Sequence, residues 1–224
     1  MRRDFVSNLS HELRTPVSVI KANSETLLDG ALEDKKDAKT FSKAILHNAN
    51  RLSEMVTSLI DLSRIEYGEL KLVIKDIILN DIADSVLLAF KNKAKRKNIY
   101  LKFDRSSDIS VKADTQAVER ILNNLLDNAF KYSPNDSEVE VRVRKQGAFV
   151  KISVLDSGEG VSDEDQRLVF KRFYRTATAR AHTQQGSGLG LAIVRNLVNN
   201  LQGEVGVDSR QGDGSEFWFT LPAS

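Results

Sequence analysis

The chain contains no cysteine. No disulfide, thiolate nucleophile or cysteine-ligated metal can belong to its chemistry. Long apolar runs are missing too, and no stretch approaches the roughly 20 residues of a membrane-spanning helix. Met1-Arg-Arg-Asp4 does not open a signal peptide. Neither sign of charge dominates. The 33 Lys and Arg face 31 Asp and Glu, a formal +2, too balanced for a nucleic-acid binder recognised by charge alone. Internal repeats and low-complexity segments are absent. What remains is 224 residues, 41% hydrophobic and 29% charged, ordinary for a soluble globular protein and enough for one large or two modest domains. The chain opens abruptly, shortly before His11, and we expect an upstream portion to have been removed.

The first stretch reads as two helices. Val6, Leu9, Leu13, Pro16, Ile20, Asn23 and Leu27 alternate spacings of three and four, and so do Phe41, Ile45, Asn48, Leu52, Met55, Leu59 and Leu62. These are two seams, separated by Asp29-Gly30 and a charged turn through Glu33–Asp37. Apolar residues beside the seam, Ala49 and Val56, form a second stripe that a lone hairpin cannot bury. Dimerisation into a four-helix bundle would cover it; packing of the hairpin on the rest of the chain is the alternative.

Gly68 ends the second helix, and the period then changes. Leu70–Ile74 reads as a strand, Leu79 to about Arg96 as a helix, and Ile99–Phe103 as a strand. Asp114–Tyr132 reads as a helix with Asp114 at its N-cap. Glu138–Arg144 and Phe149–Leu155 alternate strictly, a hairpin turning near Gln146-Gly147. Gly188–Leu201 is helical, and strands at Glu204–Val207 and Glu216–Leu221 flank the Gly212-Asp-Gly214 turn. The pattern predicts an α+β sandwich, a mixed sheet with helices on one face. Val161–Gly186 carries much charge and little sheet signal, and a connection that long is usually functional.

His11 lies outside the helical seam and so faces solvent, where a neutral imidazole nitrogen is available as a nucleophile. Glu12 can orient the ring or take its other proton. Thr15 is one turn on, on the same face. A solvated surface histidine is the plain alternative, and His47 and His182 are read that way. Asn124, Asn128 and Lys131 fall on one helical stripe, opposite a core-facing stripe of Ile121, Leu122, Leu125, Leu126 and Ala129. Amide oxygens suit Mg²⁺ completed by phosphate and water, Lys131 can neutralise a phosphate, and Tyr132 can stack on a base. Asp156, at a strand end and followed by Ser-Gly-Glu-Gly160, is placed to accept from an exocyclic amine. Gly186-Ser-Gly-Leu-Gly190 precedes a helix and makes an anion site. Arg172, within Phe170–Arg175, is placed to reach a terminal phosphate. Each signal alone also reads as an ordinary turn, cap or solvated face. Together, in this order, they supply what phosphoryl transfer needs.

These segments resemble the sensor histidine kinases of two-component signalling, over essentially the whole chain. Ser10–Pro16 is similar to the family's H box, Asn124–Lys131 to the N box, Asp156–Gly160 to the G1 box, Phe170–Phe173 to the F box and Gly186–Gly190 to the G2 box. Gly212–Ser215 is similar to the last glycine motif. The H-box wording also resembles the phosphate-starvation sensor subgroup. The resemblance implies a dimerisation and phosphoacceptor domain, residues 1–68, forming a dimeric four-helix bundle. An ATP-binding domain of the Bergerat type, an α/β sandwich, follows over residues 69–224.

By that resemblance, His11, Glu12 and Thr15 are catalytic. ATP is held by Asn124, Asn128, Lys131, Tyr132, Asp156, Gly158, Gly160, Phe170, Arg172, Gly186, Gly188, Leu189, Gly190 and Ser215, with Mg²⁺ at Asn128 and Asn124. The implied partners are a second copy and a response-regulator receiver domain, with no nucleic acid. The implied location is cytoplasmic, the parent protein reaching the bacterial inner membrane only through an absent upstream segment. Gyrase-like and heat-shock ATPases of the same fold place a water-activating glutamate one turn before the Mg²⁺ asparagine. Asn124 stands there instead, which favours transfer to His11 over hydrolysis. The rivals are a plain ATPase of this fold and a nucleotide-binding scaffold that transfers nothing.

Overall fold

The computed structural model describes residues 2–105, 109–182 and 186–224; side chains are described from Ser7 onward, except those of Asn8 and His182. The two long helices form as the spacing predicts. Helix α1 (Arg2–Thr26) passes through a π-helical turn, Leu27–Ala31, in which Gly30 takes φ 122°. Helix α2 (Lys35–Glu66) then starts at an N-cap, where the Asp34 carboxylate accepts from the Lys36 and Asp37 amides. The described seam residues from Leu9 to Leu27 and from Phe41 to Leu62 are buried or half-buried, consistent with the hairpin.

Ala49 and Val56, the stripe beside the seam, stay exposed on the single chain, and the hairpin docks on the sandwich through the end of its seam instead. Met55, Leu62 and Ile65 are buried in the core shared with the C-terminal sandwich. Val17, Leu46, Val56 and Ile60 remain 47–60% exposed on the single chain. Two ion pairs reinforce the docking, Asp61 with Arg120 and Glu66 with Arg172.

The sandwich is built on a five-stranded sheet. Strands β2 (Tyr100–Asp104), β4 (Glu138–Gln146), β5 (Phe149–Asp156), β7 (Ser215–Pro222) and β6 (Val205–Ser209) lie side by side in that order. β2 runs parallel to β4 and the other pairs are antiparallel. Helices α3 (Leu79–Lys97), α4 (Thr115–Tyr132) and α7 (Gly190–Asn200) supply the buried apolar side chains that face it. The opposite face carries charge ladders such as Lys102–Glu140–Arg142 and Lys151–Glu216. Short helices α5 (Asp163–Gln166) and α6 (Ala177–His182) lie in the long charged connection.

One strand expectation needs correction, and one strand was not expected. Leu70–Ile74 joins no ladder; the strand is β1 (Lys75–Ile78), which pairs with β3 (Ser110–Ala113) in a separate two-stranded sheet. The reason is local. The Val73 amide donates to Asp114 Oδ2 at 2.8 Å instead of to a neighbouring strand. Asp114 Oδ1 accepts from Ala117 N at 2.9 Å and caps α4, as the sequence predicts. One carboxylate thus starts α4 and ties down the linker that enters the sandwich. β3, which no expectation covered, alternates over only four residues.

Asp114→Ala removes both bonds while leaving the apolar core intact. We expect it to cost about 1–3 kcal/mol of stability, measured by urea denaturation. A parental midpoint would show that the shared carboxylate does not anchor α4.

Candidate functional site

Helix α4 sets the first wall. Ile121, Leu122, Leu125, Leu126 and Ala129 are at most 2% exposed, so the helix cannot rotate without exposing them. Burying each leucine is worth roughly 2 kcal/mol. The opposite stripe, Asn124, Asn128 and Lys131, therefore faces a cavity of about 600 Å³, as does Tyr132. Asn124 Nδ2 donates to Arg120 O at 2.8 Å, which turns its Oδ1 toward Gly190. The Lys131 ammonium is partly desolvated and lies near Arg175 and Arg51, which lower its pKa to about 8. It stays mainly protonated at neutral pH.

Asp156, Gly158, Gly160 and Ser215 build the facing wall from the ends of β5 and β7. The Gly158 amide donates to Asp156 Oδ1 at 2.8 Å. A Cβ at Gly158 would come within 3.1 Å of the Tyr132 carbonyl, so glycine is needed for the two walls to approach. Burial pushes the Asp156 carboxyl up to about 6, against the lowering effect of the Gly158 and Ser215 backbone amides.

Gly186, Gly188 and Gly190 also line the cavity. Gly188 takes φ 68°, and a Cβ there would lie 2.8 Å from the Phe173 backbone. The Phe173 amide donates to Gly188 O at 2.9 Å, zipping two of the expected boxes together. Leu189 is fully buried, so only its backbone can serve a ligand, and its amide donates to Ser187 Oγ at 3.3 Å. Phe170 is a core residue, edge-on to Phe217, and does not line the cavity.

Arg172 does not line it either. Its guanidinium pairs with Glu66 on α2, while Arg175 stands on the cavity wall and hydrogen-bonds the Tyr132 side chain. Phe173 between them has φ 59°, a left-handed residue that reverses the chain. Arg175 lay inside the segment quoted from the sequence, but no spacing rule separates it from Arg172. Lys93 and Lys97 of α3 also reach the cavity. Lys93 pairs with Asp127 at 2.6 Å, and Lys97 Nζ donates to Phe130 O at 2.6 Å. Neither was singled out from the sequence, where they are two of several lysines at the end of an amphipathic helix.

His11 and Thr15 are exposed on α1 and are not on the cavity wall. Pro16 has no N–H to give to the Glu12 carbonyl, and Thr15 Oγ1 donates to His11 O at 3.3 Å. Glu12 pairs with Arg51 of α2 at 3.3 Å. One and two turns further along α2, Glu54 and Ser58 do line the cavity. The hairpin thus closes one side of the site, with His11 on its neighbouring helix.

The donor set suits a nucleotide with its metal. Among the described residues no cluster of three His, Asp or Glu forms a self-sufficient metal site. Two amide oxygens beside a lysine fit a Mg²⁺ whose other ligands are phosphate oxygens and water.

A cavity walled by an Asn/Asn/Lys stripe, a buried strand-end carboxylate and a glycine loop defines an ATP-binding fold. Residues 113–224 match the family described as histidine kinase-, DNA gyrase B-, and HSP90-like ATPase, and residues 1–68 match the His Kinase A (phospho-acceptor) domain. The chain belongs to that ATPase family, in the two-component sensor histidine kinases that join it to a phospho-acceptor hairpin. The sensor-like histidine kinase SenX3 of Mycobacterium tuberculosis is 40% identical over 222 residues, 99% of this chain and 54% of its own length. Sensor histidine kinase WalK of Bacillus subtilis is 32% identical, with 99% and 36% covered. The chain thus spans about half, or less, of these relatives. Among solved structures, histidine kinase AdeS of Acinetobacter baumannii has a TM-score of 0.78 at 25% identity, covering 95% of this chain and 97% of that one. ShkA in complex with AMPPNP has a TM-score of 0.71 at 25% identity, covering 99% and 46%.

Folding disfavours the ionised form of Asp156. The cost is absent below the unfolded value of 3.8, grows with pH and is complete above about 6. One pKa unit is about 1.4 kcal/mol, so the full cost is at most about 3 kcal/mol. Asp156→Asn keeps an acceptor for Gly158 and removes the charge. We expect the nucleotide-free variant to match the parent near pH 4 and to exceed it in thermal midpoint at pH 7. Equal midpoints at pH 7 would mean the carboxylate is well solvated.

Proposed function

We propose that the chain is the catalytic core of a sensor histidine kinase that phosphorylates itself on His11 and passes the group to a response-regulator aspartate. The observation that carries this is the closure of the ATP cavity by the phosphoacceptor hairpin's own α2. Residues 1–68 act as the acceptor and dimerisation domain and residues 69–224 as the catalytic domain. The adenine amine donates to Asp156, Tyr132 stacks beside it, and Lys131 with Arg175 holds phosphates. Arg172 joins them when its pairing with Glu66 is released. The backbone amides of Gly186–Gly190 face the phosphate chain. Asn128 and Asn124 would hold Mg²⁺, which when bound would supply positive charge against the phosphates.

A His11 nitrogen attacks the γ-phosphorus. The P–N bond forms as the bridging P–O bond breaks, ADP departs with that electron pair, and the other ring proton passes to Glu12. Phosphohistidine then yields its phosphoryl group to a receiver-domain carboxylate, regenerating the imidazole. A second copy of the chain covers Val17, Leu46, Val56 and Ile60, giving the homodimeric bundle. Among the described residues no helix is long and apolar enough to cross a membrane. A cytoplasmic core attached to the membrane by another segment is the reading that resemblance supports. The H-box wording supports the phosphate-starvation subgroup; no relative named above carries that stimulus in its name.

His11→Gln should abolish labelling by γ-³²P ATP while nucleotide affinity stays near the parental value, because the acceptor lies off the cavity wall. Acid-labile label that persists in the variant places the acceptor elsewhere.

The same hairpin is also a phosphatase toward the regulator in this reading. Thr15 stands one turn from His11, exposed, and its hydroxyl can hold water against a phosphorylated aspartate docked there. Thr15→Ala should lose removal of label from a prephosphorylated regulator, measured with ADP present, and keep most autophosphorylation. Dephosphorylation at the parental rate reduces Thr15 to a helix residue.

A further inference from the structure

Arg51 stands where the acceptor helix, the second hairpin helix and the nucleotide cavity meet. Its Nη2 lies 3.3 Å from Glu12 Oε2, and its side chain is only 15% exposed. It shares a helical stripe with Met55, Ser58, Leu62 and Ile65, spaced four, three, four and three. Met55, Leu62 and Ile65 are buried in the core shared with the sandwich, and Ser58 lines the cavity. The stripe therefore faces the catalytic unit. Arg51 is also near enough to Lys131 for its charge to depress that ammonium.

The arginine is not satisfied by these contacts. Its Nε is buried and has no hydrogen-bond partner among the described residues. A buried donor left unpaired is unfavourable. A lysine or leucine could fill the same stripe without the Nε donor. What the guanidinium supplies that those side chains do not is a planar fork. One edge fixes a carboxylate in position while another donor remains available.

We propose that Arg51 is a positioning residue for phosphorylation of His11: it holds the Glu12 carboxylate beside the imidazole when the hairpin closes the cavity. Glu12 is 32% exposed on α1 and would sample several rotamers without a partner. Anchored to α2, it has its position tied to the same helix that lines the nucleotide site. Docking of the catalytic unit on α2 and orientation of the base become one event. The anchored carboxylate is the group that receives the ring proton as the P–N bond forms, so a displaced Glu12 slows chemistry without changing how ATP is held.

This rests on the kinase reading above, and the test separates the two. Autophosphorylation of the full chain is measured over a range of ATP concentrations for the parent, Arg51→Met, Arg51→Lys, Glu12→Gln and the Arg51→Met/Glu12→Gln pair. Arg51→Met keeps most of the stem that packs on the stripe. It should lose about a hundredfold in kcat, the scale of a misplaced group, with KM for ATP near the parental value. Arg51→Lys, which keeps the charge, should recover part of that loss. The double variant should be no slower than Glu12→Gln alone, because Arg51 acts through Glu12. Parental kcat in Arg51→Met, losses that multiply in the double variant, or a change confined to KM would each overturn the assignment while the kinase reading stands. A parent that takes no label on His11 overturns both. Should Arg51→Met fail to fold, Arg51→Lys compared with its own Glu12→Gln double variant carries the same comparison.

Discussion

The burial of one face of α4 is the constraint from which the rest follows. Five apolar side chains on that face fix the rotation of the helix between the sheet and α7. Only then do Asn124, Asn128 and Lys131 point together into a single cavity. The facing wall is fixed independently, by the β4–β5 hairpin register that pairs Val139 with Asp156 and so puts this carboxylate at the sheet's end. Neither wall alone distinguishes the site from an ordinary amphipathic helix or an ordinary strand end. Their meeting does, and it depends on glycine at 158 allowing the backbone of one wall to approach the other.

The parts of the molecule that were legible in the sequence are those governed by a period. Seam spacing marked α1 and α2, strict alternation marked β4 and β5, and the α4 stripe was readable to the residue. Capping chemistry added Asp114. What was not legible depends on partners distant in the chain. Leu70–Ile74 has strand composition, yet the Val73 amide is claimed by a carboxylate 41 positions later. β3 alternates, but over only four residues. The choice between Arg172 and Arg175 is made by the left-handed turn at Phe173 and by Glu66 on another helix. The cavity-lining role of Glu54, Ser58, Lys93 and Lys97 exists only after the helices pack. The same holds for Phe170 and Leu189, which the motif places in a binding loop and the structure places in the core beneath it.

The two-part organisation also divides the work between rigid and adjustable contacts. Within the sandwich, apolar packing is nearly complete and leaves little freedom. Between sandwich and hairpin, a small apolar patch is supplemented by the ion pairs Asp61–Arg120 and Glu66–Arg172, all four side chains partly exposed. Exposed pairs of this kind contribute little each, about 0–1 kcal/mol, and weaken with salt. An interface of that composition can be remade without unfolding either part.

The raised carboxyl of Asp156 has a consequence for the lifetime of the chain in a cell. At neutral pH the empty site carries a buried charge met only by the Gly158 and Ser215 amides, so a protein without ligand opens more often than one whose carboxylate has a further donor to bind. Ligands that select the folded form reduce the opened population in proportion to their occupancy, and proteases act on that opened population. Bound nucleotide would therefore protect the chain from cleavage.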